Sequence, residues 1–386
     1  MAEPWSDWIP GVLAPEQVRA LERSGFLYGV DFDAAPPEGS AFNLHITESA
    51  WVMKEGAVKP HGDMPYHKVL KDLGTPVKIR PDKTFSLEKN STYVFELREQ
   101  LQLPKNSGIH GQATARSSVG RVDVLARLIV DGMDGYEGFR PTDNLRNKMY
   151  LEVTPMTFPV RVRAGTALSQ LRLFYGAPEQ CVMRGKELAR TIGTEDDNLL
   201  HIDLTPFEVG GQKTVAFQAK PIEIIKPIDL WEGEDAHAPD PWDYWKFCMA
   251  DARQRLRLEQ NAFYIFRSKE QLALPGGVAA YCMASDETIG EMRIHYAGFV
   301  HPWFGRNRDD ELNGTPLIFE VRGHDLSVSL RHKEVLARMT IYRMSEDVPK
   351  PKKKSRYDKQ GLKLSGFFEK WPQILSMDKD GNVTRD

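Results

Sequence analysis

Cysteine is scarce in this 386-residue chain: Cys181, Cys248 and Cys282 are its only three, and they stand far apart. Such spacing excludes a disulfide framework and any Cys-x-x-Cys metal knuckle, and it fits a reducing, cytoplasmic setting. Long apolar runs are missing as well, and the first ten residues lack a basic flank followed by an apolar core, so neither membrane insertion nor secretion is expected. An excess of one charge is also absent: 51 Lys and Arg stand against 54 Asp and Glu, which leaves no global field for nucleic acid. The strongly basic exception, residues 350–356, reads as a solvated linker.

What the chain does contain is repetition. Glu99-Gln100-Leu101-Gln102-Leu103-Pro104 returns as Glu270-Gln271-Leu272-Ala273-Leu274-Pro275; Tyr150-Leu151-Glu152-Val153 is answered by Ile318-Phe319-Glu320-Val321, and residues 162–176 by residues 330–344. The pattern predicts a duplicated β-rich module. A short helix is expected over Pro15–Arg23, with Pro15 in its first turn and Gly25 as its stop. Beyond Phe42, short alternating runs broken by Pro and Gly suit a sandwich or barrel. The division expected is a first module over 1–176, a mixed insert and linker over 177–260, a second module over 261–344 and a tail over 345–386. Within the insert, a helix is expected over 179–191 and strands over 199–204, 214–219 and 222–228, before an amphipathic stretch over 242–258.

Residues that survive in one copy only are the informative ones. Ala115-Arg116-Ser117-Ser118-Val119-Gly120-Arg121 gathers two guanidinium groups, two hydroxyls and a glycine, a set able to grip a polyphosphate. The second copy has Asp286-Glu287-Thr288-Ile289-Gly290-Glu291 there, and its carboxylates would repel such a ligand. Each copy keeps one glutamate in an apolar strand, Glu152 and Glu320. Enclosure there would raise a carboxyl's pKa and fit it to take and return a proton near neutrality; a plain ion pair, with Arg322 for instance, is the competing reading.

Taken together, these segments resemble the metal-independent dCTP deaminases of the trimeric dUTPase-like superfamily, in particular the tandem form with two modules per chain. The resemblance rests on residues 115–121, on Tyr150-Leu151-Glu152-Val153-Thr154, on residues 162–171, on His295-Tyr296-Ala297-Gly298-Phe299-Val300-His301-Pro302-Trp303-Phe304-Gly305, on Phe319-Glu320-Val321-Arg322 and on residues 357–365. It implies a mainly β chain with some α and two tandem dUTPase-like distorted β-barrel modules, converting dCTP to dUTP and ammonia with water activated by a glutamate. By the same resemblance, Ser117 and Arg121 orient water, base or phosphate beside that acid, while Arg116, Ser118, Gly120 and Ala297 hold the nucleotide. Tyr357, Gln360 and Lys363 belong to a tail that closes over it. Magnesium is expected on the triphosphate, with no protein ligand to it, and homo-oligomers are expected because two barrels cannot complete a three-fold arrangement. Zinc is not expected, because the pairing of a His/Cys-x-Glu element with Pro-Cys-x-x-Cys that zinc deaminases use is not found here.

Which acid works, Glu152 or Glu320, stays open at this level, with a composite of the residue 116–121 loop and Glu320 favoured. Two departures stand out: Asn43 where the family usually has aspartate, within Gly39-Ser40-Ala41-Phe42-Asn43-Leu44, and His301 where aspartate is common. They keep two alternatives in view, a dUTP pyrophosphatase or bifunctional enzyme, and a non-catalytic nucleotide-sensing module.

Overall fold

The computed structural model describes residues 3–142, 147–192, 198–221, 226–284, 292–294, 298–306, 314–351 and 361–385, the side chains of 189–192 and 292–294 excepted. The helix Pro15–Arg23 forms as its sequence dictates: Pro sits in the first turn, Gln17 Oε1 accepts from the Ala14 N–H at 2.9 Å, and the chain turns out through Gly25 at φ 70°. Nearly everything else is strand.

In the first module one sheet runs in the order Gly138–Phe139, Ile109–Ala115, Ala167–Tyr175, Phe42–Met53, Tyr93–Leu97, Met149–Pro155, Val124–Val130. The second module repeats this order in two pieces. Leu199–His201, Val335–Arg343, Val278–Ala284 and Gly298–Val300 make one; Trp245–Cys248, Ala216–Ala219, Phe263–Leu272, Thr315–Gly323 and Met292–Ile294 make the other. The long strand Phe42–Met53 joins both halves of the first sheet, whereas its counterpart is broken into Leu199–His201 and Ala216–Ala219 with a small hairpin between them.

The duplication reaches single atoms. Glu99 accepts from the His45 backbone N–H at 2.7 Å and meets His45 Nδ1 at 2.6 Å, and Glu270 makes the same pair of contacts to His201 at 2.9 and 2.8 Å. These are the glutamates that open the repeated hexamer, so the repeat preserves a carboxylate that ties down a strand. Left-handed Asn90 and Asn261 recur too, at φ 61° and 56°.

Within residues 177–260, expected as an insert and linker, strands pair with both modules: Ile228–Asp229 runs beside Val160–Arg161 of the first, and two others join the second. Leu199–His201 pairs with Val335–Arg343, and Ala216–Ala219 pairs with Phe263–Leu272. Leu200, Ile202, Val215 and Leu258 share one buried core with Tyr264, Val321 and Ile341. The amphipathic stretch 242–258 resolves into a short turn of helix, Pro241–Tyr244, and two strands, Trp245–Cys248 and Arg255–Leu258. Apolar periodicity alone could not show that these short strands complete the second module.

Residues 361–385 are packed. Leu362, Leu364, Phe367 and Phe368 are buried, Phe368 lies 6.0 Å from Trp245, and Trp371 lies 5.1 Å from Phe247 between ring centres. A hairpin of Leu375–Met377 with Val383–Arg385 ends the fold. The basic segment beyond Pro351, with Tyr357 and Gln360, lies outside the described residues.

Candidate active site

Arg116, the residue that starts the site, is held in extended backbone by its N–H donating to the Leu168 carbonyl at 3.0 Å. The chain then makes one helical turn, Ser117–Gly120, closed by Arg121 N–H donating to Ser117 O at 3.1 Å. In a helical turn, positions four apart share a face. Ser117 and Arg121 therefore look the same way, and with Arg116 they line one cavity; Val119 and Gly120 are buried behind the turn. Ser118 does not line that cavity, and its carbonyl accepts from Ser365 Oγ at 2.7 Å.

The opposite wall belongs to the second module. Strand Thr315–Gly323 sends Glu320 and Arg322 toward the first module, because residues two apart in a strand share a face. Glu320 Oε1 lies 3.7 Å from Arg121 Nε, both side chains 7% exposed. Arg322 Nε lies 3.1 Å from Asp123 Oδ2, its Nη2 reaches Thr157 Oγ1 at 2.6 Å, and Thr157 in turn donates to the same Asp123 oxygen. The pairing is thus doubled: Arg121 and Asp123 on one module meet Glu320 and Arg322 on the other. The competing reading of Glu320, a plain ion pair with Arg322, does not hold, because Arg322 is committed to Asp123.

Burial pushes the Glu320 carboxyl up to about 7, and the Arg121 cation opposes part of that rise. The cavity around it opens to solvent and is lined also by Gln170, Phe299, His301, Phe304 and Ile318. One wall is cationic and hydroxylic, another apolar and aromatic, and an acid able to exchange protons near neutrality stands between them. That combination suits a polyphosphate joined to a flat ring.

Glu152 stands elsewhere. All of Met149–Pro155 is buried, and Glu152 Oε1 receives Arg127 Nε at 3.0 Å while its Oε2 accepts from Tyr136 Oη at 3.1 Å. The Arg127 guanidinium also sits 4.0 Å over the Tyr136 ring. Tyr66, from the helix Tyr66–Leu73, packs with Tyr150 and Ile129 and roofs this face of the sheet. Glu152 therefore belongs to a closed ion pair inside the first module and does not line the cavity.

Of the other expected site residues, Lys363 meets Arg121 through its backbone carbonyl, which accepts from Nη1 at 3.2 Å, while its side chain is exposed. Ala297, Tyr357, Gln360 and the acidic segment 286–291 lie outside the described residues. Asp123, Thr157, Gln170 and Arg172 were not picked out from sequence. Asp123 and Arg172 carried a signal nonetheless: each is a charged residue inside an apolar strand-like run, the feature that marked the two glutamates. Among the described residues, no group of three or more His, Cys, Asp or Glu is placed to hold a metal ion, and no helix is long and apolar enough to cross a membrane.

No curated protein matches the sequence. A solved structure of 2′-deoxycytidine 5′-triphosphate deaminase from Agrobacterium tumefaciens is similar over 88% of this chain and 97% of its own, with a TM-score of 0.77 at 27% identity. Residues 9–177 match the family description "2′-deoxycytidine 5′-triphosphate deaminase (DCD) N-terminal domain", and residues 178–368 match the C-terminal domain of the same family. The two matches meet between the strands Ala167–Tyr175 and Leu199–His201. With both domains in one polypeptide, the chain belongs to the dCTP deaminase family.

Proposed function

We propose that the cavity between the modules hydrolyses the exocyclic amine of dCTP, giving dUTP and ammonia, with Glu320 moving the protons. Water attacks C4 of the cytosine as Glu320 takes its proton and passes it to N3. A second transfer then lets the amine leave as ammonia, so that one carboxyl serves as base and then acid. The observation that carries this reading is the enclosed Glu320 carboxyl facing Arg121 at 3.7 Å in a cavity that Arg116 and Ser117 also line.

Arg121 keeps enough ionised Glu320 for the first step, and Ser117 orients water or base from the same face of its turn. Arg116 supplies the main charge for the triphosphate, with Ser118 and Gly120 shaping the turn that presents it. Magnesium would arrive on the phosphates, since the cationic side of this cavity suits phosphate oxygens and not a bare metal ion. Ala297 is assigned to the wall on which the base rests. Tyr357 and Gln360 are assigned to a segment that closes the cavity once a triphosphate is bound, and Lys363 to the packed stretch that anchors this segment beside Arg121.

In this composite arrangement each chain carries one working pairing of loop and acid, and further pairings require a second copy of the chain. The test is incubation with dCTP, CTP, dCMP and dUTP plus magnesium, with products resolved by chromatography. Formation of dUTP and ammonia from dCTP is expected. Pyrophosphate from dUTP would favour the pyrophosphatase reading, and tight dCTP binding without ammonia would favour a sensor.

A further inference from the structure

Arg172 is a buried charge that meets carbonyls and a hydroxyl where a carboxylate would be usual. It lies in the strand Ala167–Tyr175 of the first module, wholly buried, and among the described residues no carboxylate pairs with it. Its guanidinium crosses to the second module instead, donating to the Ala280 carbonyl at 2.8 Å and the Val300 carbonyl at 3.3 Å, with the Phe299 ring 4.0 Å away. The remaining bond goes from Nη2 to Ser40 Oγ at 2.8 Å, and Ser40 Oγ lies 3.0 Å from His301 Nδ1. His301 in turn lines the cavity that holds Glu320.

The direction of this chain follows from what each group can do. A guanidinium only donates, so Ser40 Oγ must accept from Arg172. Ser40 is itself buried, and among the described residues His301 Nδ1 is the acceptor within reach of its hydroxyl hydrogen. If Nδ1 carried the proton instead, Ser40 would accept twice and its own hydrogen would be stranded in a buried place, an expensive arrangement. The hydroxyl dipole also prefers to point its hydrogen away from the Arg172 cation.

Nδ1 is therefore the bare nitrogen and Nε2 carries the hydrogen. Gly39, at φ 58°, packs so near that a Cβ there would come 3.0 Å from His301 Cβ, which fixes where the ring sits. Burial and the Arg172 charge together push the imidazole down to about 3, so it stays neutral across the working range.

We propose that Arg172 and Ser40 are positioning residues that lock His301 as its Nε2–H tautomer, so that this wall of the cavity donates a hydrogen bond to an acceptor oxygen of the bound nucleotide. The proposal rests on the cavity being the dCTP site. It assigns a sign to the exchange at His301: a position where a carboxylate would accept presents a donor, and Ser40 and Arg172 make that donor permanent. Recognition there would be blind to pH over the range in which Glu320 titrates.

The test begins with the unaltered enzyme. Nitrogen-15 labelling of the histidines, with His301 assigned through His301→Gln, reads the tautomer directly at neutral pH. A protonated Nε2 beside a bare Nδ1 is expected, and dCTP should shift the Nε2 signal more than the Nδ1 signal. Ser40→Ala should give a mixture of tautomers and raise KM for dCTP roughly ten-fold with little change in kcat, and Ser40→Thr should restore both. His301→Gln, which keeps an N–H near the Nε2 place, should lose less than His301→Asp, which presents only acceptors. A protonated Nδ1, or a His301→Asp variant at least as good as the parent, would overturn the proposal. Absence of any turnover or dCTP binding by the parent would instead overturn the reading of the cavity.

Discussion

Glu152 and Glu320 occupy matching places in two copies of one module, yet their surroundings have separated them. In the first copy the acid is closed off by Arg127 and Tyr136 of its own module. In the second, the arginine two residues along is drawn away by Asp123, and the acid is left facing Arg121 across the boundary between modules. The difference teaches that an enclosed carboxylate takes its character from its partners. A bidentate guanidinium in the same module makes a fastening; a guanidinium 3.7 Å away at the edge of a solvent-connected cavity leaves a group whose proton can be exchanged.

The sharpest break of this comparison is a pair of isosteric changes. Glu320→Gln should lower dUTP formation from dCTP by roughly a thousand-fold or more, since it removes the one group assigned to every proton transfer. Glu152→Gln should keep turnover within a few-fold. Activity lost from Glu152→Gln alone, measured by ammonia release, would reverse the assignment.

Next in size is the charge pair that sets the two walls against each other. Arg322→Met leaves Asp123 buried and unpaired and should cost about 3–5 kcal/mol of stability in denaturant unfolding. The double change with Asp123→Leu should recover a good part of that loss, because neither charge is then stranded. No recovery in the double variant would mean that the two residues act independently.

Glu152→Gln should still register as a loss of about 1–3 kcal/mol, because Arg127 and Tyr136 keep only part of their partner. A melting temperature equal to the parent's would show that the first-module acid does not fasten its sheet.

The smallest effect expected is a displacement along the pH axis. Glu320 must be ionised to accept the first proton, so kcat/KM should fall as pH drops below about 7. Arg121 lowers that value, so Arg121→Gln should move the acid limb upward as well as slowing the reaction. A limb that stays in place would mean that Arg121 does not act on the acid.

Much of the site was legible in the chain. The one-sided loop at 116–121 and the two strand acids were visible as charged or hydroxyl residues in apolar surroundings, and the duplication came from the repeated hexamer. Less legible was the stretch 177–260, where strands of three or four residues are too short to show a period and the counterpart of Phe42–Met53 comes in two pieces with a hairpin between them. In the tail the polar residues suggest a closing segment, yet Leu362, Leu364, Phe367 and Phe368 anchor the part that follows Gln360. The purpose of the repeated Glu99 and Glu270 was hidden as well, because their histidine partners are 54 and 69 residues away.

The amino-acid sequence by itself determined that there are two related β modules, which of them keeps a cationic loop, and that each holds one acid in an apolar strand. Those are matters of local composition and of period, and they need no partner. Tertiary structure alone decided which acid faces the loop, because Arg127, Asp123 and Arg121 compete for the two carboxylates and for Arg322 through distances that no spacing along the chain records. It also decided that a serine and a buried arginine from the first module stand behind His301 of the second. Charge pairing is settled by proximity in space, and the decisive neighbours of Glu152 come from its own module while those of Glu320 and Arg322 come from the opposite one.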